Sequence, residues 1–217
     1  MKTRLSRREF LASLGAAGIV AGLSSSCLAN QQPIAQNKIY MTIDDGPKDY
    51  MEEMLDLFAE TGDRATFFVL GENCENDYGY SLLVRALNEG HLIGNHSYYH
   101  PNFKEISEEE AQAQVQATHE ILEQAYKDAG RYNPKLFRFP FGAEAHQGVI
   151  ANNGYKVVRW NVDTKDYEIG NVLTIDGVKE RCLNIEAGDI VLLHDLEHTA
   201  REIIPFILSY YASDVVR

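Results

Sequence analysis

Short apolar runs recur along this chain, and each breaks off at a polar turn before residues at helical spacing begin. Residues 38–43 (Lys-Ile-Tyr-Met-Thr-Ile) end at Asp44-Asp45-Gly46-Pro47, a turn signal. Residues 50–60 then carry apolar side chains at 51, 54, 55 and 58, with Gly62 just beyond. Residues 65–70 form a second run, 81–89 read as a helix stopped by Gly90, and Leu92-Ile93-Gly94 leads into Asn95-His96. Ser107 and Glu110 have capping-box spacing and open a long helix to about Ala129, ended by Gly130. Residues 135–139, 156–161 and 189–193 read as three more strands, and 199–211 as the last helix. Continuous apolar strands alternating with helices predict a parallel sheet covered by helices. The expected fold is therefore α/β: one domain, built as a distorted (β/α) barrel of about six or seven parallel strands. An open doubly wound sheet is the alternative.

Charge divides the chain. The whole carries a net charge of -12, yet its opening holds Lys2, Arg4, Arg7 and Arg8. So acidic a chain excludes a general nucleic-acid binder, which needs a basic stripe for phosphates. The basic opening runs into a small-residue apolar stretch, 10–23, that is too short and too weakly hydrophobic for a spanning helix. Residues 1–29 read as a signal peptide, and Ser6-Arg7-Arg8-Glu9-Phe10-Leu11 resembles the twin-arginine export signal of bacteria. Cleavage before Asn30 is the expectation, with a lipid anchor on Cys27 as the alternative. Either way the mature protein is expected to be periplasmic or secreted and to lack a transmembrane segment. Residues 30–37 would be a linker and 38–217 the catalytic domain. Three cysteines are too few for a disulfide scaffold. Cys74 and Cys182 remain after signal removal, and folding before export does not require them to pair.

In parallel α/β folds the chemistry gathers at the carboxyl ends of the strands. Five polar sets fall there: Asp44-Asp45, His96 to His100, Arg138 to Gly142, Asp163 to Tyr167, and His194-Asp195. His96 and His100, four apart, can aim both rings at one point from a helical turn or a tight loop. Two imidazoles and one carboxylate leave positions open for water on a divalent metal. One of the two aspartates can bind metal while the other stays free as a general base, with Arg138 fitted to orient it. Asp166 can hold His194 and favour its imidazolium, which makes His194 a candidate general acid. Asp195 reads as a hydrogen-bonding support beside it. Tyr98, Tyr99, Phe103 and Phe141 flank these sets as sugar-stacking rings or rim packing.

These residues resemble the polysaccharide deacetylases, carbohydrate esterase family four, with its nodulation-type deacetylase homology domain. The resemblance rests on Thr42-Ile43-Asp44-Asp45-Gly46-Pro47, residues 94–101, Arg138-Phe139-Pro140-Phe141-Gly142, residues 160–167 and Val191-Leu192-Leu193-His194-Asp195. It implies a divalent metal, zinc above cobalt or manganese, on Asp45, His96 and His100. Asp44 would be the base, oriented by Arg138, and His194 the acid, tuned by Asp166. The Phe141 N–H would help bind the oxyanion, and Tyr99 and Tyr167 would line the substrate site. The implied substrate is an N-acetylated carbohydrate polymer or oligomer such as peptidoglycan or chitin, or an O-acetylated xylan. The resemblance leaves two alternatives, a cyclic amide or imide hydrolase on the same fold and a non-catalytic glycan-binding protein. Tyr167 stands where the family commonly has tryptophan. The chain also stops soon after its last helix, which suggests a more open barrel seam.

Overall fold

The computed structural model describes residues 38–217. The expected signal, the linker and Cys27 lie outside the described residues. Seven strands form one parallel sheet: β1 (Tyr40–Gly46), β2 (Ala65–Val69), β3 (Leu92–Asn95), β4 (Leu136–Phe137), β5 (Lys156–Val157), β6 (Val162–Asp163) and β7 (Ile190–His194). Their order is β5-β4-β3-β2-β1-β7-β6. Among the described residues the sheet is accompanied by helices α1 (Met51–Thr61), α2 (Asp77–Asn88), α3 (Glu108–Asp128), α4 (Gln147–Asn152), α5 (Ile175–Cys182) and α6 (Ile204–Tyr210). No helix among the described residues is long and apolar enough to cross a membrane.

Local chemistry sets most boundaries. Gly62 (φ 75°) closes α1, its N–H on the Phe58 carbonyl, in a left-handed conformation that costs glycine little. The Ser107 hydroxyl caps α3 by accepting the Glu110 N–H. Helix α2 starts earlier than its apolar spacing suggests, because Asn76 accepts the Gly79 N–H and caps it there. The last helix is not uniform: residues Thr199–Ile203 form a π turn before α6.

Alternation along β1 builds the two sides of the sheet. Ile39, Met41 and Ile43 pack outward into the main core with α1 and α6. Tyr40 turns inward to join Phe68, Leu92, Leu136, Val158 and Ile190, an apolar floor inside the curl. Thr42 and Asp44 continue that inner face upward and are buried. The inside of the curl therefore runs from an apolar base to a polar rim. Gly94 makes room in it, because a Cβ there would lie 2.5 Å from the Phe68 ring.

The strand expected over 156–161 is two strands on opposite edges of the sheet. The Val158 N–H donates to the Phe137 carbonyl on one edge (2.8 Å), and the Asn161 N–H to the Ile190 carbonyl on the other (3.1 Å). One kinked segment thus leads from one edge of the sheet to the other, while β5 and β6, the two ends of the strand order, do not pair with each other, so the seam between them is open. Residues after α6 instead pair at the amino end of β1, where the Ile39 N–H meets the Asp214 carbonyl at 2.6 Å. Cys74 and Cys182 are free and buried.

Candidate active site

Adjacent residues of a strand face opposite sides, yet Asp44 and Asp45 both reach the rim. The cause is a bulge: Asp44 pairs with Phe68 and Gly46 with Val69, so Asp45 is the extra residue, at φ 72°. The bulge at Asp45 itself thus re-aims the second carboxylate. The Asn73 amide donates to the Asp45 carbonyl (3.0 Å) and fixes the distorted peptide.

The two histidines sit on a tight loop after β3. Ser97 and His100 both have positive φ, 77° and 59°. Such backbone must be held from outside. Asn95 accepts the Ser97 N–H at 2.8 Å, the Ser97 hydroxyl accepts the His100 N–H at 3.1 Å, and one oxygen of Gln114 accepts the N–H groups of Tyr98 and Tyr99. Gln114 escaped the sequence reading, although a signal exists: it falls on the apolar stripe of α3 beside Ala111, Val115, Thr118 and Leu122.

Ligand-type atoms of Asp45, His96 and His100 all lie within 4.8 Å of one another. The Asp45 Oδ1 atom is 3.6 Å from His96 Nε2 and 3.4 Å from His100 Nε2, and it is buried without a hydrogen-bond partner. Buried carboxylate oxygens are not left bare without reason. The His96 Nδ1 lies 2.8 Å from the Arg138 carbonyl, which can only accept, so Nδ1 carries the proton and Nε2 presents its lone pair to the cluster. Burial, then the neighbouring His96, pulls the His100 pKa down to about 4, which keeps its imidazole neutral near pH 7. An orphaned carboxylate oxygen facing two imidazole nitrogens fits a divalent cation.

Asp44 stands beside this cluster, its Oδ2 atom 3.6 Å from His96 Nε2. Its Oδ1 accepts from Arg138 Nη1 at 2.8 Å. Arg138 is fully buried, and Nη1 also reaches Thr42 Oγ1 (2.7 Å) while Nε donates to the Val158 carbonyl (3.3 Å). Its guanidinium lies 4.2 Å from the Phe68 ring centroid and 5.4 Å from that of Trp160. Thr42 and Phe68 are further parts of the site that the sequence reading left out.

Across the rim, Asp44 and His194 are cross-strand partners. Asp166 is wholly buried and its carboxylate is saturated. One oxygen takes His194 Nδ1 (2.7 Å) and the Tyr167 N–H, and the other takes the His194 N–H (2.7 Å) and the Thr199 hydroxyl (2.6 Å). Burial alone would lower the His194 pKa, but the hydrogen bond and charge of Asp166, with Asp44 and Asp45 behind it, raise it to about 9. Its imidazolium therefore persists at neutral pH. Thr199 opens the π turn, and such turns recur at functional sites.

The remaining residues separate. Phe141 (φ 56°) sits in the short turn Pro140–Gly142, is 69% exposed and lies edge-on to His100 at 4.4 Å. Tyr167 stands perpendicular to His194 at 5.1 Å and donates to Asp163 Oδ2 (3.3 Å), so its hydroxyl is committed to the fourth polar set. Tyr99 is exposed, edge-on to Tyr98. Phe103 is no rim ring: it is completely buried against Phe137 and Phe139. Asp195 supports the loop after β1 rather than His194, accepting the N–H groups of Lys48 (2.6 Å) and Tyr50 (3.2 Å).

A curled parallel sheet whose rim carries a cation-shaped donor set, a carboxylate held by arginine and an imidazolium held by aspartate has the parts of a hydrolytic centre. Comparison with known proteins agrees with that class. The polysaccharide deacetylase family model matches residues 31–158, more than half of the chain. A peptidoglycan-N-acetylglucosamine deacetylase of Bacillus cereus is 35% identical over 166 residues, covering 75% of this chain and 57% of that protein. A chitooligosaccharide deacetylase of Azorhizobium caulinodans is 33% identical over 176 residues, covering 78% and 80%. The solved structure of peptidoglycan deacetylase PdaC from Bacillus subtilis superposes with a TM-score of 0.73 at 29% identity, covering 84% of this chain and 87% of that one. The chain belongs to the polysaccharide deacetylase family. It spans little more than half the length of the Bacillus cereus protein.

Proposed function

We propose that this protein is a metal-dependent hydrolase that removes acetyl groups from an N-acetylated cell-envelope or environmental polysaccharide. The observation that carries the reading is the buried, unpartnered Asp45 Oδ1 facing His96 and His100, with Asp44–Arg138 on one side and His194–Asp166 on the other. The names of the relatives, peptidoglycan and chitooligosaccharide deacetylases, support this substrate class. Asp45, His96 and His100 would hold the cation, with zinc the first candidate and cobalt or manganese next. When bound, it supplies a Lewis acid for a carbonyl oxygen and acidifies water.

The chain's own residues supply the rest. Asp44, oriented by the Arg138 guanidinium, takes the proton from the attacking water. The Phe141 N–H donates to the oxygen that becomes negative, a contribution of about 3–4 kcal/mol for a well-aimed donor. His194 gives its Nε2 proton to the departing sugar nitrogen, while Asp166 fixes Nδ1–H and so selects the atom that donates. Tyr99, Phe141 and Tyr167 offer exposed faces to sugar rings. Export belongs to the same proposal and rests on the twin-arginine pattern at residues 6–11. N-terminal analysis of the exported protein separates cleavage before Asn30 from acylation of Cys27.

The test is acetate release from N-acetylglucosamine oligomers, peptidoglycan and acetylxylan with zinc, cobalt or manganese supplied. Asp44→Asn should lose at least about 100-fold in kcat, the scale of a general base, with little change in fold. Absence of acetate from every substrate, with metal bound, would overturn the reading. Ring opening of a cyclic amide without acetate would replace it.

A further inference from the structure

The bulged end of β1 carries one of the three candidate ligands, yet residues 47–50 that follow it are bends and turns without regular pairing of their own. Asp45 is held in the left-handed region, where a residue with a Cβ stays only if its surroundings insist. Two side chains from other parts of the fold do so. Asn73 donates its amide to the Asp45 carbonyl at 3.0 Å. Asp195, buried at the end of β7, receives Lys48 N–H on Oδ2 (2.6 Å) and Tyr50 N–H on Oδ1 (3.2 Å), while its own N–H donates to the Asp44 carbonyl (3.0 Å). Gly46 lets the two come together, because a Cβ there would lie 3.1 Å from Asp195 Oδ2. Asp195 is not one of the clustered donor atoms.

We infer that Asp195 is a positioning residue for the cation, a staple between β7 and the β1 loop that sets metal affinity by fixing where Asp45 points. The inference rests on the metal-dependent reading of the same site. Its physical basis is that of any outer support. A ligand free to wander must be ordered on binding, and removal of such a support costs about 10- to 100-fold in metal affinity. The staple joins the candidate ligand Asp45 to the strand that carries His194, so the cation and the proton donor share one rigid frame.

The experiment titrates Co2+ into metal-free protein against a chelating competitor and records the visible ligand-field bands, with no substrate present. Asp195→Ala should bind Co2+ about 10- to 100-fold more weakly and with altered bands, its far-ultraviolet circular dichroism unchanged. Asp195→Asn should lie between, since one oxygen can keep the shorter bond to Lys48. Asn73→Ala should shift affinity in the same direction. If Asp195→Ala does not fold, the Asn variant decides: affinity within twofold of the parent chain and identical bands overturn the inference, as they would for the Ala variant. Acetate release plays no part in the readout. A parent chain that binds Co2+ but deacetylates nothing leaves the staple standing and ends the deacetylase reading. A fully active parent whose variants bind Co2+ unchanged ends only the staple. A parent that takes up no cation overturns both.

Discussion

Arg138→Met is the substitution whose consequences can be worked furthest from the structure. Arg138 and Asp44 are both nearly inaccessible and meet at 2.8 Å. Methionine can fill much of the space between Phe68 and Trp160, so the cavity is minor. What remains is a buried carboxylate that has lost its hydrogen-bonded counter-charge, with only the His194 imidazolium on the neighbouring strand left to offset it. Breaking a buried pair in this way costs about 3–5 kcal/mol, mostly from the stranded charge rather than from the lost bond. The double variant Arg138→Met/Asp44→Asn has no such charge, because the amide that replaces the carboxylate is neutral. It should recover at least about half of the loss, about 1.5–2.5 kcal/mol, and the coupling in a double-mutant cycle is that recovery plus whatever Asp44→Asn costs alone. Urea denaturation in the presence of a chelator measures this without any contribution from bound metal. Activity should behave oppositely, since both variants lack an oriented base and both should fail to release acetate. Recovered stability with unrecovered catalysis is the signature. If the double variant is no more stable than Arg138→Met, to within about 0.5 kcal/mol, the ion pair is not what holds Asp44.

The other predictions concern different parts of the frame. His100→Ala should abolish tight zinc uptake, read by elemental analysis after gel filtration, while the apo protein melts as before. Gly94→Ala should cost about 1–3 kcal/mol by overpacking, because the added methyl would sit 2.5 Å from Phe68 beneath Arg138; a change under about 0.5 kcal/mol in urea titrations would mean the curl is looser than described. His91, buried behind the sheet, accepts the Ala65 N–H on Nδ1 (3.0 Å), and burial, reinforced by Arg64, Arg131 and Arg85, lowers its pKa from 6.5 to about 4. Between those values the unfolded chain binds a proton that the folded chain refuses. Its contribution is therefore complete above pH 6.5 and falls by about 3 kcal/mol as pH drops to 4. His91→Gln should flatten that part of the stability curve, and an unchanged slope would refute the assignment.

What the sequence made legible follows from which interactions are periodic. The strands β1, β2, β3 and β7 were readable as short apolar runs cut off by turn residues, and helices α1 and α3 by apolar spacing that continues long enough to show a period of 3.6. The strand expected over 156–161 divides at a kink between two edges, and hydropathy does not mark it: Val157, Val158 and Trp160 sit among Lys156, Arg159 and Asn161 with no break in the run. The start of α2 was missed because its cap, Asn76, precedes Asp77 and Tyr78, a polar stretch that resembles a loop.

The chemical groups were legible for the opposite reason, since polar residues at strand ends interrupt the pattern. Their geometry was not, because it depends on backbone states that residue type barely signals. Asp45, Ser97, His100, Phe141 and Lys165 all adopt positive φ, Asp45 in the bulge of β1 and the others in the turns that follow a strand. None is glycine, and for the ligand-bearing residues the side chains that hold the backbone are visible: Asn73 and the Asp195 frame for Asp45, and Asn95, Ser97 and Gln114 for the histidine loop. Asn73, Asn95 and Gln114, which hold these backbones, and Thr42 and Thr199, which hold Arg138 and Asp166, carry no chemistry that a sequence reading would single out. They are nonetheless why two carboxylates, two imidazoles and a proton donor face one point. Changing the visible residues removes a reactant, whereas changing these five moves one, and the second kind of loss should show as weakened metal binding or lowered kcat in a protein that still contains every reacting group.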